Sequence, residues 1–448
     1  MSEDKRAAFK QWLASGKALV HPLTFPQREL WEASPVPVAA AANHICCLIH
    51  VQGGITQEAC RAALQRVVER QEVLRLSFLP GKDQPVQMIR QSREANFRYR
   101  ELPSEQRHEQ AVEELAKEIF SEPFDLLKGP LYRAVVLRRG AGDHVVVFAI
   151  HHAIADGWTL GVFVRDLCTA YMQGLMSPHQ ALPPLPLTYS EWGSVERAFW
   201  QPQELDQRAA FWKSNLAGRQ RFWNSLEGPE TTAGAERWVT HLPIGLAAAA
   251  RELARLHSAT LFSTLLTVFQ ITLSRWIGAD DILVGTPVAN RTNQAVRETM
   301  GYCAGIVPIR GLVDADRPFS DSLKAVHQTA TDSFANAMPF VELVRALGDM
   351  PDGGHHPIFE VRFALQNHPV PDITVHGLSA RLRMRSTGTA RFHVGCEITA
   401  VKEGLQVVWL FRPKLFSLAE IKKLAYLFQE VLAVTCRSPE SRIATLRT

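Results

Sequence analysis

The stretch VVVFAIHHAIADG (145–157) decides how the rest of the chain reads. VVVFAI is a near-continuous run of β-branched, aromatic and aliphatic side chains, the pattern of a strand covered on both faces. His151, His152, Asp156 and Gly157 follow at once, and WTLGVFVRDLCTAYM (158–172) then reads as a helix. A histidine at the end of a strand is held by a rigid element, and its neutral ring accepts a proton near pH 7. Those are the requirements of a general base. Adjacent histidines in extended chain point to opposite faces, so His151 and His152 are poorly placed to share one metal ion, and no metal is expected. Asp156, four residues after His152, can fix the loop or pair with a distant cation. Gly157 suits a backbone at positive φ or the close approach of a ligand.

Working outward, strand-like and helix-like segments alternate, which gives an α/β architecture. HICCLIHV (44–51) is a short strand, and Thr56 caps a helix whose Ala59, Cys60, Ala63, Leu64, Val67 and Val68 share one face. Residues 174–188 hold four prolines and no periodic apolar face, so they read as an extended connection. Two lobes are therefore expected, 1–178 and 179–448. In the second, the patterning predicts helices at 205–217, 245–257, 260–276 and 318–336 and strands at 282–285 and 361–366. Ser417 and Glu420 match a capping box at the start of the last helix.

The chain has 448 residues, 46% hydrophobic and 21% charged, enough for an ordinary core and more than one usual domain. A formal charge of +4 without a Lys/Arg run or Arg/aromatic interleaving argues against nucleic acid as a partner. Seven cysteines with no C-x-x-C pair fit neither a disulfide framework nor a thiolate zinc site, which points to a reducing cytosol. The charged start MSEDKRAAFKQWLASG does not read as a secretory signal. TLFSTLLTVFQITLSRW (260–276) is too short and too rich in Thr, Ser and Gln to cross a bilayer, so no membrane span is expected.

With these segments in hand, the sequence resembles the condensation domains of nonribosomal peptide synthetases, relatives of chloramphenicol acetyltransferase. The hallmark H-H-x-x-x-D-G is complete at 151–157. In family order, TFPQRELW (24–31) resembles the opening motif, and RQEVLRLSF (70–78) resembles R-H-E-x-L-R-x-x-F with Gln71 in place of His. EPFDLLKGPLYRA (122–134), TYSEW (188–192), GADDILVGTPVANR (278–291), MPFVELVRAL (338–347) and HPIFEVRFALQN (356–367) resemble later motifs. The resemblance implies two acetyltransferase-like lobes in a V with a tunnel at their junction. It implies a phosphopantetheine arm, supplied by a donor carrier protein and bearing an acyl thioester, meeting an amine or alcohol acceptor. His152 would be the catalytic residue, either as the proton-abstracting base or as the group that orients the nucleophile and steadies the tetrahedral intermediate; His151 and Asp156 would shape the loop, and Asp156 would pair with Arg291. A thioester is already activated, so alignment worth ~7–11 kcal/mol and one base worth roughly 10²–10⁴ in rate suffice.

Two stretches depart from the family's pattern. GYCAGIVPIR (301–310) replaces a G-x-F-V-N-T-like segment, making Tyr302 and Cys303 candidate pocket walls beside Trp158. ARFHVGC (390–396) brings in His393, a candidate second imidazole on the acceptor side, and Ser386 is a candidate for the tunnel floor. No segment reads as an adenylation or carrier domain, so the expectation is a freestanding, monomeric, cytoplasmic acyltransferase of nonribosomal peptide or hybrid polyketide biosynthesis, meeting its carrier in trans. The hydrophilic N-terminal segment reads as a frayed terminus, with a carrier-docking helix as the alternative. Two other readings stay open: an acyl-coenzyme-A-dependent acyltransferase using the same His152, and a non-catalytic domain that recruits tailoring enzymes to a carrier.

Overall fold

The computed structural model describes residues 14–34, 36–177, 180–220, 235–349, 356–366, 373–375, 377–385 and 392–445. Its strands are β1 (Ala18–Pro22), β2 (His44–Gln52), β3 (Leu76–Leu79), β4 (Val86–Arg90), β5 (Phe97–Glu101), β6 (Tyr132–Gly140), β7 (Asp143–His151), β8 (Glu236–Pro243), β9 (Asp281–Val288), β10 (Gly305–Leu312), β11 (Val361–Gln366), β12 (Ile373–Val375), β13 (Leu378–Arg385), β14 (Val394–Val401) and β15 (Gly404–Phe411). Its α-helices are α1 (Phe25–Glu32), α2 (Gln57–Arg70), α3 (Glu109–Ser121), α4 (Gly157–Met176), α5 (Tyr189–Phe199), α6 (Pro202–Asn215), α7 (Ile244–Leu256), α8 (Leu261–Ile277), α9 (Phe319–Ala335), α10 (Phe340–Leu347) and α11 (Leu418–Arg437).

Two six-stranded mixed sheets organise this α/β chain, in the orders β12-β13-β2-β7-β6-β5 and β10-β9-β11-β14-β15-β8, beside a small β1-β4-β3 sheet. Each large sheet has its own apolar core. The sheets do not each keep to one half of the chain. β13 pairs antiparallel with β2, so a strand from beyond residue 370 extends the N-terminal sheet. Tyr189, Trp192, Val296, Met300, Tyr302 and Cys303 are likewise buried in the N-terminal core.

The strand expected at 145–150 is β7, central in its sheet and buried from His144 onward. Phe148 on β7 stacks on Phe163 of α4 at 3.8 Å between ring centroids, which locks the two elements that flank the histidine turn. Thr56 caps α2, accepting from the Ala59 N–H, and Ser417 with Glu420 forms the capping box of α11. The connection expected from 174 begins later, because α4 continues to Met176. Helix propagation into GLM costs little once the helix is anchored on the sheet, and the first proline comes only at Pro178. Among the described residues no single helix is long and apolar enough to cross a membrane.

Candidate active site

β7 ends at His151 and the chain enters one 3-10 turn, His152–Ile154, before α4. The two histidines leave in opposite directions. His151 is fully buried, its Nδ1 accepting from the Ala153 N–H at 3.0 Å while Nε2 lies 2.9 Å from the Val38 carbonyl. Because Nδ1 must accept, Nε2 carries the proton and donates, so this ring is a neutral imidazole. Both of its nitrogens are committed, which leaves it no lone pair for a metal. His152 is half-buried and turns the other way, edge-on to Tyr302 at 4.4 Å between centroids with 69° between ring planes.

Asp156 is the N-cap of α4, in a reciprocal capping box with Thr159. Its Oδ1 accepts from the Thr159 N–H at 3.0 Å and from Arg291 Nη2 at 3.2 Å. Its Oδ2 accepts from the same nitrogen at 3.2 Å and from the Cys303 and Ala304 N–H groups at 3.1 and 3.2 Å. Arg291 donates further to the carbonyls of Val296, Thr299 and Gly301 at 2.9, 2.6 and 3.1 Å. Burial pulls the Arg291 pKa down, but the charge and hydrogen bond of Asp156, together with Cys303 and Tyr189, hold it above its ordinary value. The pair is thus a buried girder between the motif and residues 291–304.

Trp158 reinforces the same junction: its Nε1–H donates to the Arg297 carbonyl at 2.9 Å, and the Arg291 guanidinium sits 5.7 Å from its ring centroid. Cys303 is fully buried, and burial pushes its thiol well above the ordinary range, so it is no thiolate nucleophile at neutral pH. Gly157 does not take positive φ, which corrects that expectation. A Cβ built on it would meet nothing within 4 Å, so the position opens on empty space at the first turn of α4, the arrangement a close-approaching ligand needs.

His393 is buried just before β14, with its N–H donating to the Glu360 carbonyl and its carbonyl accepting from Arg412 N–H. Ser386 and the N-terminal stretch 1–13 lie outside the described residues.

Several residues that hold the site have no role in the sequence reading. Gln27 on α1 donates from Nε2 to the Ala153 carbonyl at 3.0 Å, gripping the histidine turn from outside the motif. Thr24 and Gln27 form the capping box of α1, and that T-x-x-Q spacing is a signal legible in TFPQRELW. Gln71, which replaces the family's His, bridges Asp166 Oδ2 at 2.7 Å and the Glu298 carbonyl at 3.0 Å while accepting the Met300 N–H. Tyr189 donates its hydroxyl to the Tyr302 carbonyl at 3.0 Å. Nothing local in the sequence marks these long-range partners.

Comparison with known proteins agrees with this architecture. The family described as Condensation domain matches residues 17–448. A linear gramicidin synthase protein of Brevibacillus parabrevis is 29% identical over 437 residues, covering 95% of this chain but only 6% of that protein. Among solved structures, the SgcC5 protein of Streptomyces globisporus superposes with a TM-score of 0.77 at 23% identity, covering 94% of this chain and 100% of that one. The X-domain solved in complex with OxyB from teicoplanin biosynthesis gives a TM-score of 0.81 at 21% identity, with 95% of each chain covered. The family match across nearly the whole sequence, on a two-sheet fold whose H-H-x-x-x-D-G turn is tied to Arg291, establishes that this chain belongs to the condensation-domain family of the nonribosomal peptide synthetase type.

Proposed function

We propose that this domain transfers an acyl group from a carrier-protein phosphopantetheine thioester to an amine or hydroxyl acceptor, with His152 as the base. The observation that carries the proposal is a division of labour within seven residues. His151 commits both ring nitrogens to backbone groups, and Asp156 commits both oxygens to a helix cap and an ion pair. His152 is the motif side chain that keeps part of its surface at solvent, on a turn anchored to a buried strand and helix.

In the proposed step the acceptor nitrogen or oxygen attacks the thioester carbonyl carbon. His152 takes the acceptor's proton as the new C–N or C–O bond forms; as the C–S bond breaks it passes that proton to the departing sulfur, which leaves as a thiol, and the imidazole is neutral again. The open space at Gly157 would admit the pantetheine arm beside the imidazole. The chain spans a small fraction of the synthetase it matches, so the donor and acceptor classes rest on the family resemblance.

The test is single-turnover transfer from an acyl-loaded carrier, followed by intact mass spectrometry. His152→Ala should lose about 10²–10⁴ in rate while melting like the parent. A variant that transfers at the parental rate overturns the assignment. Turnover with free acyl-coenzyme A and no carrier would instead identify a coenzyme-A-dependent acyltransferase.

A further inference from the structure

The ring that meets His152 is itself held from several sides. Tyr302 is 3% exposed. Its hydroxyl donates to Glu29 Oε1 at 3.3 Å, and its carbonyl accepts from the Tyr189 hydroxyl at 3.0 Å. Tyr189 Oη also lies 3.1 Å from Thr24 Oγ1, and since its one proton goes to Tyr302, Thr24 must donate to it. On either side of Tyr302 the backbone is fixed again. Gly301 has no side chain where a Cβ would fall 2.2 Å from the Tyr189 ring, and the Cys303 N–H is bound to Asp156. Glu29 from α1 holds the phenol, while Tyr189 from α5 and Asp156 from the motif hold the backbone that carries it.

An imidazole's last torsion is broad and roughly two-fold when nothing constrains it. A neighbouring ring at 4.4 Å in an edge-on arrangement removes most of that freedom. We infer that Tyr302 is a positioning residue for His152, holding the plane of the imidazole fixed as it meets the acceptor. The inference rests on the assignment of His152 as the base. Misplacing a reacting group by about 1 Å can cost on the order of 100-fold in rate, so even partial loss of the ring contact should be visible in kcat.

The experiment uses the full chain with an acyl-loaded carrier and reads two signals: the transfer rate and the ring Cε1–H resonance of His152 in ¹³C-histidine-labelled protein, identified by its loss in His152→Gln. Tyr302→Leu should lower kcat by about tenfold or more with KM little changed, and should move the resonance because the aromatic ring current is gone. Tyr302→Phe keeps the ring and should restore most of the rate and the parental resonance. Tyr302→Met also removes the ring while keeping more of its volume, and should lower kcat and move the resonance in the same way. Its arm decides the matter if the Leu variant does not fold. A folded Tyr302→Leu or Tyr302→Met with parental rate and resonance overturns the inference. His152→Ala serves as control: if it retains activity, the base assignment fails, whereas the resonance still decides the Tyr302 contact.

Discussion

Arg291 Nη2 lies 3.2 Å from both carboxylate oxygens of Asp156, across 135 residues of sequence. Both side chains are almost wholly excluded from solvent, at 1% and 3% exposure. Removing one partner leaves a buried charge uncompensated, at a cost of ~3–5 kcal/mol. Asp156→Ala also strips the cap of α4, about 1 kcal/mol more, and orphans the Cys303 and Ala304 N–H groups. Asp156→Ala should therefore lower the melting temperature more than Arg291→Met, and the double variant should lose less than the sum of the two. Additive losses in calorimetry would show that the pair is not coupled. Arg291→Lys should not rescue, because a single ammonium cannot reach the carboxylate and three carbonyls at once.

Gly157 separates stability from access. Its φ is not in the left-handed region and a methyl there meets no protein atom, so Gly157→Ala should melt at or slightly above the parent, by up to about 1 kcal/mol of helix propensity. If the pantetheine arm passes this point, Gly157→Leu should fold normally but lose most transfer activity, chiefly through a raised KM for the loaded carrier. Parental kinetics in the Leu variant would move the donor's path elsewhere.

How much of this was legible depended on distance along the chain. β7, α2 and α11 follow from local patterning, since burial periodicity and caps at Thr56 and Ser417 are short-range physics. The Asp156–Arg291 pair was legible only through family resemblance, because nothing in the residues near Arg291 names its partner. Of the seat of His152 only Tyr302 was marked, as a candidate pocket wall: Gln27, Glu29 and Tyr189 act through contacts to residues 153 and 302, over more than 100 positions. The joining of β13 to the N-terminal sheet was equally invisible, since an alternating strand such as LSARLRMR states that it pairs but not with what.

Cys303 sits beside the site without the chemistry of a nucleophile. Its thiol is fully buried and held protonated by burial, which the neighbouring Arg291 only partly opposes. Native protein should leave this cysteine unmodified by maleimide, as followed by peptide mapping. Cys303→Ala should keep transfer within about threefold of parental, its main cost being a small cavity of order 1 kcal/mol. A loss comparable with that of His152→Ala would instead place the sulfur in the reaction.

Glu196 gives the domain a pH dependence of its own. On α5 its Oε2 accepts the Phe25 N–H at 3.1 Å, joining that helix to the start of α1. Burial pushes this carboxyl up to about 8, against the pull of that N–H and of the Arg197 and Arg28 charges. Because the folded-state value exceeds the unfolded one, the folded protein holds this proton more tightly. The contribution to stability is complete below the ordinary carboxylate range and is lost as pH climbs to about 8, where both states are ionised. Glu196→Gln keeps an oxygen to accept from Phe25 and carries no charge at any pH. Its melting temperature should match the parent's near pH 4.5 and exceed it progressively toward pH 8, levelling off above that. Parallel melting curves for the two proteins across this range would mean that Glu196 is ionised in the folded state throughout.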